Sequence, residues 1–431
     1  MTTLAVVGTG YVGLTTGACF AHLGHHVICA DIDEEKVARL QRGEIPIVED
    51  GLERLVTEGI KSGRLEFVVG AAEAARRAEI VFLCVPTPQG EDGAADLSYI
   101  EAAAAQIADV LQPEAVVVNK STVPVGSTKV VERVLQRSDV YVVSNPEFLR
   151  EGSAVNDFLK PDRIVIGSES QAAASKLAAL YLGVPTPIIV TDPASAETIK
   201  YAANGFLAMK ISFVNAVAAM CEAVGADVED VVLGIGFDKR IGHEFLKPGP
   251  GWGGSCFPKD SRALVKIAED HGYNFTMMRG VIDVNEQQRL RILAKIREAV
   301  GGVLHGAKVG VWGLTFKART DDLRESPSIA AIHELLRSGA KVKAYDPTIV
   351  EPLSGYKRDL LQGVELCADP YGAADGVDAL VVLTEWDEFR WLDLEKVASV
   401  MVGNCLVDAR NLLQRSAVMH AGLKYVGVGR L

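Results

Sequence analysis

Residues 4–8, LAVVG, form a short apolar run that passes directly into Gly8-x-Gly10-x-x-Gly13 and then into a segment of helical period ending near Gly24. The next apolar run, HVICAD, closes on Asp31. Few folds accept strand, glycine turn, helix, strand and terminal carboxylate in that order. The arrangement belongs to a parallel sheet whose first helix turns its N-terminus toward a pyrophosphate, with the acid placed for the ribose hydroxyls. Asp31 is followed by Asp33, Glu34 and Glu35, which repel a 2′-phosphate, so NAD is expected over NADP. Lys36 is a possible partner for a ribose or phosphate oxygen.

Apolar runs then recur as EIVFLCVPTP, AVVVNKSTVP, VYVVSNPEF, RIVIG and PIIVTD, alternating with helical stretches such as YIEAAAAQIADVL. This is the pattern of an α/β doubly wound parallel sheet. Thr87, Lys120, Ser121, Thr122, Asn145, Glu147 and Glu151 gather where these strands end, the side on which open α/β sheets bind ligands. Glu147 and Glu151 stand i, i+4 and share a face if their segment is helical, an arrangement suited to proton transfer or equally to a solvated helix start.

From Ala194 to about Val224 there is no proline and one glycine, and apolar residues recur at helical spacing. A helix of that length reaches about 45 Å at 1.5 Å per residue, and its apolar residues cover more than one packing face, so a partner subunit is expected. Lys200 and Asn204 lie one turn apart on it, either as a structural contact or as part of a site. A second strand and helix cycle follows: AKVGVWGLTFK, SPSIAAIHELLRSG and AKVKAYDP, ending in Asp346. It lacks the glycine fingerprint, so a different ligand is expected there. Lys317, Arg319 and Arg324 suit a diphosphate or a plain surface cluster. The expected organisation is a nucleotide domain at 1–193, a helical and dimerisation segment at 194–300, and a second Rossmann-like domain at 301–431.

Between the two sheets lies FLKPGPGWGGSCFPKD, residues 245–260. Its glycines allow close approach of backbone to a ligand, and the helical period that follows places Cys256 at a helix start. There the unpaired N–H groups, with Lys259 beside them, favour the thiolate, the alternative being a packed, inert cysteine on a glycine-rich turn. The other six cysteines (19, 29, 84, 221, 367 and 405) lie in apolar or periodic contexts and read as core residues. Seven cysteines without zinc spacing fit free thiols in a reducing compartment, and no metal site is expected. A net charge of −12 argues against general nucleic-acid binding. No stretch is expected to span a bilayer, and the start, lacking a basic region, reads as a mature N-terminus of a cytoplasmic protein. A simple alcohol dehydrogenation has no use for a nucleophilic sulfur. An oxidation that continues past the aldehyde does, because a thiohemiacetal can lose a second hydride and become a thioester for water to cleave.

GTGYVGL, VPTP, KSTVPVGST, NPEFLREG, ETIKYAANGFLAMKISFVNA, RIG, GWGGSCFPKD and FKARTDDLRESPS, in this order, resemble the UDP-glucose 6-dehydrogenases. These belong to the nucleotide-sugar dehydrogenases that also include GDP-mannose dehydrogenase. The resemblance runs the length of the chain and implies four-electron oxidation of a UDP-sugar C6 alcohol with two NAD. It implies Cys256 as nucleophile, Lys200 and Asn204 at the oxyanion, Asp260 and Thr122 on a water, and Glu147 as acid/base. NAD would meet Gly8, Gly10, Tyr11, Val12, Asp31, Lys36, Thr87, Thr122, Glu151 and Arg324. UDP-glucose would meet Glu147, Phe148, Leu149, Lys200, Asn204, Phe245, Leu246, Gly251, Lys317 and Arg410. Arg240 would reach into the neighbouring site of a homodimer. Trp252 replaces a phenylalanine common in the family, which touches the choice of sugar. A GDP-mannose enzyme and a non-catalytic sensor of NAD and nucleotide sugar are the alternatives.

Overall fold

Most strands are runs of four to six aliphatic residues buried on both faces, which parallel sheets need because helices cover each side. The computed structural model describes residues 1–90, 95–353 and 355–430. The chain divides into two compact units, one of residues 1–203 with 262–272 and the other of 204–261 with 273–431.

The first unit holds β1 (Thr3–Val7), β2 (His26–Asp31), β3 (Leu65–Val69), β4 (Ile80–Leu83), β5 (Val116–Asn119), β6 (Tyr141–Ser144), β7 (Ile164–Gly167) and β8 (Ile188–Thr191), in the order β3-β2-β1-β4-β5-β6-β7-β8. Alternation along β1 sends Leu4 and Val6 into one apolar layer with Phe20 and Phe82, and Ala5 and Val7 into the other with Ile100 and Ala104. The sheet is parallel except at one join: β6 and β7 run antiparallel, meeting at Ser144 and Gly167. The rest is the doubly wound parallel sheet expected. The connection between them carries only the short helix Ala154–Leu159 and turns the chain back on itself. The Asn145 amide then fixes the return by donating to the Val165 carbonyl at 2.7 Å.

The second unit holds β9 (Lys308–Trp312), β10 (Lys341–Tyr345), β11 (Val364–Leu366), β12 (Ala379–Val382), β13 (Cys405–Asp408) and β14 (Lys424–Val426), all parallel in the order β11-β10-β9-β12-β13-β14. Its central four strands repeat the order of the first sheet's β2-β1-β4-β5. Both halves are thus Rossmann-like, as the sequence pattern implies.

The expected long helix is Pro193–Val224, 32 residues, which places its ends about 48 Å apart at 1.5 Å per residue. Its residues up to Ala203 belong to the first unit and the rest to the second. By length and composition it could cross a bilayer, with a window of mean hydropathy 1.5, contrary to the expectation that no stretch qualifies. Polar residues within the apolar sequence hid it, and they also explain its packing. Glu197, Lys200, Asn204, Ser212 and Asn215 are buried and hydrogen-bonded to protein groups. Phe206, Phe213 and Met220, spaced by seven, are more than half exposed.

Candidate active site

In the first unit, Gly8 adopts φ +95° and Gly13 lies so close to it that a Cβ on Gly13 would fall 1.8 Å from the Gly8 carbonyl oxygen. Only glycine fits there. Around Gly10, by contrast, an added Cβ meets nothing within 4 Å. Gly10 caps the helix Tyr11–His22 without a side-chain bond, so the helix N-terminus presents bare N–H groups to open space, the surface a pyrophosphate requires. Asp31 ends β2 and accepts from the Thr9 N–H at 3.0 Å and from the Lys36 ammonium at 2.9 Å. Burial pulls its carboxyl upward, but the Thr9 hydroxyl, Lys36 and the Thr9 N–H outweigh it and hold the group at about 2. Asp31 is therefore ionised throughout the physiological range, suited to ribose hydroxyls and hostile to a 2′-phosphate. Lys36 neutralises part of that charge instead of standing free. These residues fit an NAD site.

Beyond β5 and β6 lies a buried ionic cluster. Lys200 donates to the Glu147 carboxylate at 2.9 Å and to the Glu147 carbonyl at 2.6 Å, while the other carboxylate oxygen accepts from the Leu149 N–H at 2.6 Å. Burial alone would raise the Glu147 carboxyl, yet Lys200, the Leu149 N–H and Lys120 bring it below the ordinary value. The Phe148 ring lies under the Arg163 guanidinium at 3.6 Å, with the Lys200 ammonium at 5.4 Å. The segment carrying Glu147 and Glu151 is not helical, so the two acids do not share a helix face. The Glu147 carbonyl, which a helix would offer to the Glu151 N–H, accepts from Lys200 instead, and of the two acids only Glu147 is deeply buried. Gly152, just beyond, donates its N–H to Glu49 at 2.7 Å and to the Tyr11 hydroxyl, tying this loop to the glycine turn. Thr87 donates to the Thr122 carbonyl at 2.9 Å, so these two expected cofactor residues support each other.

In the second unit, Cys256 immediately precedes the helix Phe257–Asp270, and its carbonyl accepts the Asp260 N–H at 2.9 Å. The thiol sits at a helix N-terminus, as its sequence context implies, half-buried and 3.6 Å from the Ser255 hydroxyl. Lys259 pairs with Asp260 at 2.6 Å, and the other oxygen of Asp260 accepts from the Asn204 amide at 2.6 Å. The loop before the thiol is sewn to two helices. Asn215 accepts the Gly249 N–H, Gln288 donates to the Gly249 carbonyl, and Asn285 exchanges bonds with both backbone groups of Trp252. Gly251, at φ +117°, leaves the space that Asn285 occupies, since a Cβ there would lie 2.7 Å from its oxygen. The Trp252 indole donates to Ser212 at 2.9 Å and is buried, so this ring anchors the loop within its own unit. Leu246 is buried, and Phe245, its neighbour in sequence, takes φ +61°.

The remaining expected substrate residues surround the second sheet. Arg410 donates to the Leu383 and Phe316 carbonyls at 2.7 Å each and pairs with Glu385 at 3.0 Å. Lys317 lies 5.4 Å from the Phe316 ring centre, and Arg324 forks onto Asp322. Arg319 lies 3.6 Å from Asp387. Asp346 accepts from Leu314, Thr315 and Trp386, so the carboxylate corresponding to Asp31 serves internal structure here, as the missing glycine fingerprint implied. Arg240 is exposed and bonded to Asp238. Sequence reasoning placed Lys120 and Asn145 at strand ends on the ligand side without a separate role, and singled out none of Asn215, Asn285 and Gln288. A polar residue at a strand end or mid-helix is the only signal they carry.

Sequence models of the UDP-glucose/GDP-mannose dehydrogenase family match the chain in three parts: the NAD binding domain at residues 2–184, the central domain at 194–287 and the UDP binding domain at 310–415. The UDP-glucose 6-dehydrogenase of Rhizobium meliloti is 47% identical, with 99% of each chain covered. The UDP-glucose 6-dehydrogenase TuaD of Bacillus subtilis is 45% identical over 100% of this chain and 94% of its own. Among solved structures, a UDP-glucose dehydrogenase from Pyrobaculum islandicum superposes with a TM-score of 0.93 at 39% identity, covering 100% of this chain and 98% of that one.

Proposed function

The chain belongs to the UDP-glucose/GDP-mannose dehydrogenase family, and from that premise we propose that it is an NAD-dependent UDP-glucose 6-dehydrogenase with Cys256 as nucleophile. The setting of that thiol carries the reading: it opens a helix whose fourth residue, Asp260, is gripped by Asn204 and Lys259. NAD, when bound against Gly8, Gly10, Tyr11, Val12 and Asp31, accepts one hydride at each of two oxidations. The sugar C6 alcohol gives up a proton to a water oriented by Asp260 and Thr122 and becomes the aldehyde. Cys256 adds its sulfur to that carbon, forming a C–S bond and an oxyanion that Lys200 and Asn204 stabilise. Loss of the second hydride leaves a thioester. Glu147 takes a proton from the attacking water, the C–S bond breaks, and the thiolate departs from the carboxylate product.

Two NADH per UDP-glucose are the expected stoichiometry, read by absorbance against sugar consumed, with GDP-mannose tested in parallel. One NADH per sugar, or a preference for GDP-mannose, would reject the assignment. The relatives' names support the uridine ligand, and the basic groups Lys317 and Arg410 beside the second sheet supply positive charge for a diphosphate. Thr87, Lys36, Glu151 and Arg324 complete the proposed cofactor site, and Phe148, Leu149, Phe245, Leu246 and Gly251 the substrate site.

The acting unit is proposed to be a homodimer in the cytoplasm, with Arg240 completing the neighbouring site. Phe206, Phe213 and Met220 form an exposed apolar stripe along the long helix at the seven-residue spacing by which two helices pack, and all seven cysteines are free. Phe213→Glu is expected to shift the protein from dimer to monomer by at least tenfold in dissociation constant. Sedimentation across a concentration series measures this, and an unchanged dimer would place the interface elsewhere.

A further inference from the structure

The Glu147–Lys200 pair has a neighbour that the reaction as written does not use. Lys120 follows β5, is 5% exposed, and donates to the Asn145 side-chain oxygen at 3.0 Å. That oxygen also accepts from the Tyr181 hydroxyl at 2.8 Å, and Asn145 is itself fixed by its bond to Val165. The Phe158 ring lies 6.0 Å from the ammonium. No carboxylate forms an ion pair with Lys120 among the described contacts. The titratable groups acting on it are Glu147, Lys200 and Cys84, and the Cys84 thiol is kept neutral by burial, which pushes it up to about 12.

We propose that Lys120 is a positioning residue: its buried ammonium, held by Asn145, gives the Glu147–Lys200 cluster a net positive charge and so keeps Glu147 ionised for its acid/base role. This rests on the function proposed above. A Glu–Lys pair alone is neutral, whereas the tetrahedral intermediate adds a negative charge, and a second fixed cation offsets it without having to move. Burying an ammonium beside one amide oxygen and an aromatic ring costs stability, and a core built for stability alone would favour an apolar residue there. Burial, aided by Lys200 and opposed by Glu147, brings Lys120 down to about 8.

Two measurements on Lys120→Gln and Lys120→Arg test the role. The acidic limb of the kcat profile, read as NADH formation, reports ionisation of Glu147. Lys120→Gln keeps a donor for Asn145 but removes the charge, and its limb is expected about one pH unit higher, roughly a tenfold loss on the acid side. Lys120→Arg is expected to keep the wild-type limb. Independently of activity, the cost of the buried charge is full below its folded value and is relieved as pH rises toward the ordinary lysine value. Between pH 8 and 10.5 the Tm of the wild type should therefore rise relative to both variants. A flat Tm difference, or an unmoved acidic limb in Lys120→Gln, overturns the proposal. Should Lys120→Gln fail to fold, Lys120→Arg decides it, since the wild type should gain Tm and lose kcat against that variant above pH 8, and parallel curves overturn it. A wild type that makes no NADH removes the proposed function itself, an outcome distinct from these.

Discussion

Cys256→Ser is expected to lower the rate of UDP-glucuronate formation by about a thousandfold or more, because a hydroxyl is far less ionised and less nucleophilic than a thiol in the same place. Binding and folding should survive. The side chain is half-buried at a helix start, the serine is smaller by little, and the loop's attachments through Gly249 and Trp252 do not involve the sulfur. The variant should therefore bind NAD and UDP-glucose with affinities near those of the wild type and unfold within a few degrees of it. Product analysis by chromatography, alongside NADH counting, separates the two oxidations: any residual turnover should stop at the aldehyde level. Uronate formed at the wild-type rate would eliminate the thioester route.

Lys200→Met is expected to destabilise the protein by about 3 kcal/mol at pH 7, the low end for removing one partner of a buried ion pair, because Lys120 still stands near the stranded carboxylate. The sign of its pH dependence is specific. In the wild type the lowered value of Glu147 adds stability above the ordinary carboxylate range, and that contribution is lost as pH falls through the folded value. In the variant, burial is opposed only by the Leu149 N–H and Lys120, and the carboxyl takes up a proton more readily than in the wild type. The deficit should thus be greatest at neutral pH and shrink toward pH 4. Urea unfolding at the two pH values measures it, and equal deficits would mean that the pair is not ionised. Turnover should also fall, by roughly a hundredfold, as the oxyanion loses an ammonium.

How far the sequence reaches is clearest at the two ends of the long helix. Its length and its excess of apolar residues over one packing face follow from apolar spacing, as do the glycine turn and the place of Asp31, since local geometry alone dictates them, whereas the fold decides that Phe206, Phe213 and Met220 stay exposed. The partners of Lys200 and Asn204 do not follow. Each could equally have been a structural contact, and the fold decides by bringing Glu147 from 53 residues away and Asp260 from 56. The helix face that would have joined Glu147 to Glu151 does not form, because the Glu147 carbonyl, which a helix would offer to the Glu151 N–H, accepts from Lys200 instead.

What the residues determine unaided is every feature with a short repeat: strands of period two, helices of period 3.6, and glycine where a Cβ would collide. The resemblance carried by the ordered motifs adds the chemistry. Tertiary structure alone decided which charges are neutralised, with Lys36 on Asp31 and Lys259 on Asp260, and which are stranded in the interior, as Lys120 is. Electrostatic energy depends on distance and burial through space, and neither is written in the spacing of residues along the chain.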